Sequence, residues 1–207
     1  MLNIDIAAEN KTLKDKTPDE IITWAISLSD KRVVTTSFGV YSAVLLSAVS
    51  SKDNGIDVLW CDTGFNDHVT YNHSKDLIDR LNLNMNIYVP KQTRGFVEAT
   101  LGLPGIDDPK HEQFTEIVKL EPFRRALDEH KPEVWFTNIR SGQTEFRDEQ
   151  DILSYSSEGI LKVSPFYHWS DKKLDAYLKK NNLPKNKDYF DPVKALSSRE
   201  CGIQHLG

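Results

Sequence analysis

The sequence predicts an α/β fold, with a mostly parallel sheet carrying helices on both faces and a mobile C-terminal tail. Three observations predict it. Short β-branched runs such as Val33-Val34-Thr35-Thr36 end in polar, glycine-containing turns. Helical periodicity fills the stretches between those runs, the alternation that gives parallel sheets. After Leu183 the helical pattern stops, and the last stretch holds two prolines and little periodicity. Residues 1–183 are therefore read as one α/β domain, and 184–207 as a tail that wraps or moves.

The elements follow in order. Thr17-Pro18-Asp19-Glu20 is a helix start, with a Thr cap, Pro in the first turn and Glu three residues after the cap. The helix runs through Ile21, Trp24, Ala25 and Leu28. A strand is expected over Val33–Phe38, broken by Gly39, and an apolar helix over Val40–Val49. The next strand, Ile56–Cys61, ends at Asp62-Thr63-Gly64 and leads to a helix from about His68 to Leu81. Asn84–Val89 is a third strand, Gln92–His130 is helix-rich, and Glu133–Asn138 is a fourth strand. Ile160–Val163 is a short strand, and Ser170 caps a helix through Leu174, Tyr177 and Leu178.

Composition narrows the function. The chain has 207 residues, 39% hydrophobic and 28% charged, which suits one globular domain with a working tail. No apolar run approaches the roughly 18–20 residues of a membrane helix. The N-terminus lacks the basic flank and apolar stretch of a signal peptide, so a cytoplasmic location is expected. A net charge of −5 argues against a nucleic-acid binder with a broad basic face. An anionic ligand must then be held by a local cluster, and Lys119, Arg124, Arg125, Arg140, Arg147 and Arg199 supply one. With only two cysteines, the chain has neither a disulfide scaffold nor the four thiolates of a zinc site or iron–sulfur cluster.

Ligands of open α/β sheets bind beyond the carboxyl ends of the strands. Three polar clusters fall there. Thr35-Thr36-Ser37-Phe38-Gly39 combines hydroxyls, a glycine and a helix start, the makings of an anion cradle. Asp62-Thr63-Gly64 offers a carboxylate and hydroxyl to ribose or adenine, or else an Asp that caps the next turn. Arg140 and Arg147, with Gln143 between them, suit a bidentate oxyanion clamp. Ion pairs with Glu145 or Asp148 are the competing account of these arginines. In the tail, Arg199-Glu200-Cys201-Gly202-Ile203-Gln204-His205 sets a cysteine between two basic residues, which favour the thiolate a nucleophile needs. Cys61, within Val58-Leu59-Trp60-Cys61, reads instead as an inert core thiol.

Taken together, these segments resemble the phosphoadenylyl-sulfate reductases. Ser37-Phe38-Gly39, Asp62-Thr63-Gly64, Lys119-Leu120-Glu121-Pro122, Arg140 to Arg147 and Glu200-Cys201-Gly202-Ile203 match that family's motifs in its order. The match spans about residue 17 to the end. The resemblance implies a Rossmann-like fold of the adenine-nucleotide α-hydrolase type. It implies that Cys201 attacks the sulfur of 3′-phosphoadenylyl sulfate (PAPS), leaving a cysteine S-sulfonate and releasing adenosine bisphosphate. Reduced thioredoxin or glutaredoxin then frees sulfite, with no bound cofactor and no iron–sulfur cluster. The binding residues it implies are Thr36, Ser37, Phe38, Gly39, Asp62, Thr63, Gly64, Lys119, Arg140, Gln143, Arg147, Arg199 and His205. The family's relatives are commonly homodimers.

The chain departs from the family pattern at three places. Tyr41 stands where Gln is usual, and Gln204 stands where the terminal motif has His, with His205 one residue later. The family's Gly-Tyr-x-Ser-x-Gly-Asp segment before the tail is replaced by the shorter Leu183–Arg199, in which Tyr189 is the candidate for the tyrosine. Related readings are a cluster-free adenylyl-sulfate reductase and a nucleotide-binding redox sensor without turnover. An ATP-pyrophosphatase of the same superfamily wants Ser-Gly-Gly-x-Asp-Ser in the first loop, and this chain lacks the second glycine and the acid.

Overall fold

The structure is a computed structural model that describes residues 2–105, 107–191 and 193. Its six strands are β1 (Arg32–Thr36), β2 (Asp57–Cys61), β3 (Asn84–Tyr88), β4 (Val134–Phe136), β5 (Leu153–Tyr155) and β6 (Leu161–Val163). They form one sheet in the order β3-β2-β1-β4-β6-β5. Every pairing is parallel except the β5–β6 hairpin at one edge. From β1 the chain winds outward to β3, then returns to lay β4 on the other side of β1. The reversal creates a switch point between the carboxyl ends of β1 and β4, where ligands of such sheets bind.

Alternation along the strands divides the core. Val34, Val58, Trp60, Phe136 and Val163 face one side. There they meet α2 (Pro18–Ile26), α3 (Ser42–Ser50), α4 (His68–Leu81) and α9 (Asp171–Lys180). The intervening residues Val33, Leu59 and Trp135 face the other side and pack on Phe123, Ala126 and Leu127 of α7 (Glu121–His130). The expected helices on both faces are thus present. Among the described residues no helix is long and apolar enough to cross a membrane.

Local signals explain most boundaries. The capping box expected at Thr17 forms in full, and its hydrogen bonds hold the Glu20 carboxyl at about 2. Asp67 caps α4 by accepting from the Thr70 N–H at 2.8 Å, and Asn82 ends that helix in the left-handed region. Ser170 stands at the start of α9, as expected, but its side chain makes no capping bond.

Three features differ from the sequence reading. The first strand ends at Thr36 rather than Phe38, because Phe38 adopts φ +50°. Three short elements were not anticipated: α1 (Ile6–Leu13), which buries only Leu13, α8 (Glu145–Asp148), and the three-residue edge strand β5. The loss of periodicity at Leu183 marks the end of regular helix, not the end of packing. Asn186 is buried and donates to the Phe38 carbonyl at 3.0 Å and to Thr70 Oγ1 at 3.3 Å. Val193 is buried with Phe65, Val97, Phe114 and Val118.

Candidate functional site

A cavity of about 780 Å³ opens at the switch point, within the size range of small-molecule sites. The end of β1 supplies Thr35, Thr36 and Ser37, and the end of β4 supplies Thr137 and Asn138. Gly39, Tyr41 and Ser42 bring in the start of α3. Lys119, Arg140, Gln143 and Arg147 complete the polar wall, and Lys185, Tyr189 and Asp191 reach in from the segment after α9.

The loop after β1 is held by its strained member. Phe38 is fully buried at positive φ and packs edge-on against Trp60, with ring centroids 4.9 Å apart. Such a backbone costs on the order of 1–3 kcal/mol for a non-glycine residue, so the surroundings must enforce it. They do: the Phe38 N–H donates to Thr36 Oγ1 at 2.9 Å, and its carbonyl accepts from Asn186. Phe38 thus lies beneath the cavity and positions the loop, while Ser37 and Gly39 face the ligand space. The N–H groups of Gly39, Val40 and Tyr41 make no hydrogen bond to another described residue. These three backbone donors stand at the mouth of the cavity, just before α3 begins.

Lys119 enters by a different device. Between α6 (His111–Thr115) and α7 the helix widens into a π turn over Glu116–Leu120, and the Glu121 N–H donates to the Glu116 carbonyl. Pro122 explains the widening, since it has no N–H to continue α-helical bonding. The turn delivers Lys119, 5% exposed, to the cavity wall, where its ammonium pairs with Asp191.

The arginine motif is organised by its glutamine. Gln143 Oε1 accepts from the Arg140 N–H at 3.0 Å and from Arg147 Nη1 at 2.5 Å, tying the two arginines together. Arg140 is buried, and its Nη1 donates to Asp171 Oδ1 at 2.7 Å and to the Trp169 carbonyl at 3.2 Å. Neither Glu145 nor Asp148 is its partner. Asp148 instead accepts from the Gly142 N–H, where the chain turns at φ +76°.

The structure therefore brings together Thr36, Ser37, Gly39, Lys119, Arg140, Gln143 and Arg147, with Tyr189 beside them. The Tyr189 ring lies against Gly39, 3.5 Å from where a β-carbon would stand. It does not bring in Asp62, Thr63 and Gly64, which stand outside the lining of this cavity. Asp62 Oδ1 accepts from the Gly64 N–H, Asn66 Nδ2 and Tyr71 Oη at 2.8–3.0 Å, the turn-capping alternative. Burial, and then the bond to Asp62, push the Tyr71 hydroxyl up to about 12. Of the cation cluster, Arg124 pairs with Glu116 and Arg125 with Glu121. Cys61 is half-buried: it packs against the core cluster of Val33, Leu59 and Trp135 and also lines the cavity. Cys201, Arg199, Gln204 and His205 lie outside the described residues.

Sequence reasoning missed Lys185, Asp171 and Asp191. None of them belongs to a motif, and each reaches the cavity through a contact with a distant part of the chain.

Comparison with known proteins agrees with this architecture. A family model described as the phosphoadenosine phosphosulfate reductase domain matches residues 31–196. The phosphoadenosine 5′-phosphosulfate reductase of Aliivibrio salmonicida is 34% identical over 183 residues, covering 86% of this chain and 71% of that protein. The protein of the same name from Xanthomonas oryzae pv. oryzae is 34% identical over 187 residues, 87% of this chain and 75% of its own length. Among solved structures, phosphoadenylyl-sulfate reductase from Candida auris superposes with a TM-score of 0.78 at 24% identity, over 90% of this chain and 91% of that one. An FMN adenylyltransferase from Candida glabrata reaches 0.58 at 14% identity, over 90% and 61%. These two likenesses speak for the fold alone. The family model and the 34% identical relatives carry the further conclusion that this chain belongs to the phosphoadenosine phosphosulfate reductase family.

Proposed function

We propose that the chain reduces PAPS to sulfite and adenosine 3′,5′-bisphosphate through Cys201. The observation that carries this reading is the convergence, in one cavity, of the free N–H groups after β1 with Lys119, Arg140 and Arg147. An acidic protein thereby offers a local site for a highly anionic nucleotide.

In the first step the Cys201 thiolate attacks the sulfur of the substrate. The new S–S bond forms as the bond from sulfur to the bridging phosphate oxygen breaks, and the nucleotide departs with that electron pair. Donors fixed around the phosphate oxygens stabilise the charge that develops there. In the second step a thiolate of reduced thioredoxin or glutaredoxin attacks Cys201 Sγ and expels sulfite. The second redoxin thiol resolves the mixed disulfide, so the dithiol supplies both electrons. Sulfite formation from PAPS with reduced thioredoxin tests the reading directly, and binding without turnover would favour a sensor.

The arginines give a graded test. A charged hydrogen bond left unmade costs on the order of 1.5–3 kcal/mol, so Arg140→Ala and Arg147→Ala should each weaken nucleotide binding roughly 10–150-fold by calorimetry. Lys in either position should restore only part of this, since it lacks the planar fork. Unchanged affinity would reduce both arginines to structural roles.

A further inference from the structure

Tyr41 gathers two cations. The Arg140 guanidinium lies 5.0 Å from its ring centroid, and Lys185 Nζ lies 4.5 Å from it. Lys185 Nζ also bonds the Tyr41 hydroxyl oxygen at 3.0 Å. All three side chains line the cavity. Each cation has a second partner on α9: Arg140 meets Asp171 at 2.7 Å and Lys185 meets Asp175 at 2.6 Å. The bonds to Asp175 and Tyr41 hold the Lys185 ammonium above its ordinary range.

The two kinds of partner differ in exposure. The Arg140 and Lys185 side chains are 8% and 28% exposed, whereas those of Asp171 and Asp175 are 67% and 52% exposed. The cations are thus anchored inside by an aromatic ring, and for Arg140 by the Trp169 carbonyl as well. Their carboxylate partners sit at the solvent rim, where an ion pair contributes little and is easily exchanged. Arg140 Nε is buried and has no hydrogen-bond partner among the described residues. A buried donor of this kind calls for an acceptor that arrives with a ligand.

We propose that Lys185 and Arg140, held over the ring of Tyr41, form a two-cation subsite for phosphate oxygens, and that a bound phosphate displaces Asp175 and Asp171 from them. Arg140 belongs to the reading above; Lys185, Tyr41 and the exchange of the two aspartates do not. The subsite deepens that reading, because a nucleotide in the cavity presents its phosphates beside these cations. Tyr41 is then a positioning residue: it keeps both cations in place while their counter-ions change. An ion pair that must open lowers affinity, so removing either carboxylate should raise it.

The test is calorimetric titration of the full chain at low salt with two probes, adenosine 3′,5′-bisphosphate and inorganic pyrophosphate. Lys185→Met should weaken both about tenfold, and Lys185→Arg should stay near wild type. Asp175→Asn and Asp171→Asn should each bind about threefold more tightly, a gain that disappears at high salt. Unchanged binding in Lys185→Met, or weaker binding in both asparagine variants, overturns the subsite. If the wild type binds pyrophosphate with this pattern but not the nucleotide, the subsite stands and the assignment of PAPS falls. Failure of the wild type to bind either probe overturns the subsite as well.

Discussion

Cys201→Ser is expected to abolish sulfite release while leaving binding of adenosine 3′,5′-bisphosphate nearly intact. Only a thiolate is nucleophilic enough near neutral pH to take the sulfonate and soft enough to surrender it to a second thiol, and a serine hydroxyl does neither. Binding survives because the groups proposed to hold the phosphates belong to other parts of the chain: the loop after β1, the π turn, and Arg140 to Arg147. A sulfite assay with reduced thioredoxin, run beside calorimetry, separates the two effects. The control has an edge, since Cys61 lies on the wall of the same cavity. Cys61→Ser should retain most activity. Turnover in Cys201→Ser that vanishes in Cys61→Ser would transfer the nucleophile to β2.

Asp191→Ala is expected to cost about 3–5 kcal/mol of stability, the range for removing one partner of a buried ion pair. Lys119 and Asp191 have side chains 6% and 5% exposed, so the pair is shielded from water. The carboxylate also accepts from the Val193 N–H at 3.1 Å and from the Tyr189 hydroxyl at 3.3 Å. Its loss therefore releases the segment that carries Tyr189 into the cavity. Urea unfolding should show the lowered midpoint, and nucleotide binding should weaken in parallel. A shift below about 1 kcal/mol would mean that this pair is no firmer than a surface bridge.

The sheet was largely legible because its signals are local. Val33 to Thr36 announce β1 by β-branching, and Thr17 and Glu20 announce α2 by their capping box. The edge strand β5, Leu153-Ser154-Tyr155, has no β-branched residue to mark it, unlike the equally short β4 and β6. The lining of the cavity was legible wherever motif and geometry coincide, as in Ser37, Gly39, Arg140 and Arg147. It was illegible where a contact spans the chain. Lys185 meets Tyr41 across 144 positions, and Lys119 meets Asp191 across 72. Asp62 shows a third situation. Its two sequence readings use the same atoms, and only coordinates reveal that Oδ1 already accepts three hydrogen bonds.

The proposed reaction requires a sulfonate carried on Cys201. Intact mass after incubation with PAPS and no reductant, followed by peptide mapping, tests it most directly. The expected result is a single added SO₃ group on the peptide containing Cys201, removed on addition of reduced thioredoxin with release of sulfite. An adduct on Cys61, or no adduct in protein shown to bind the nucleotide, would contradict it.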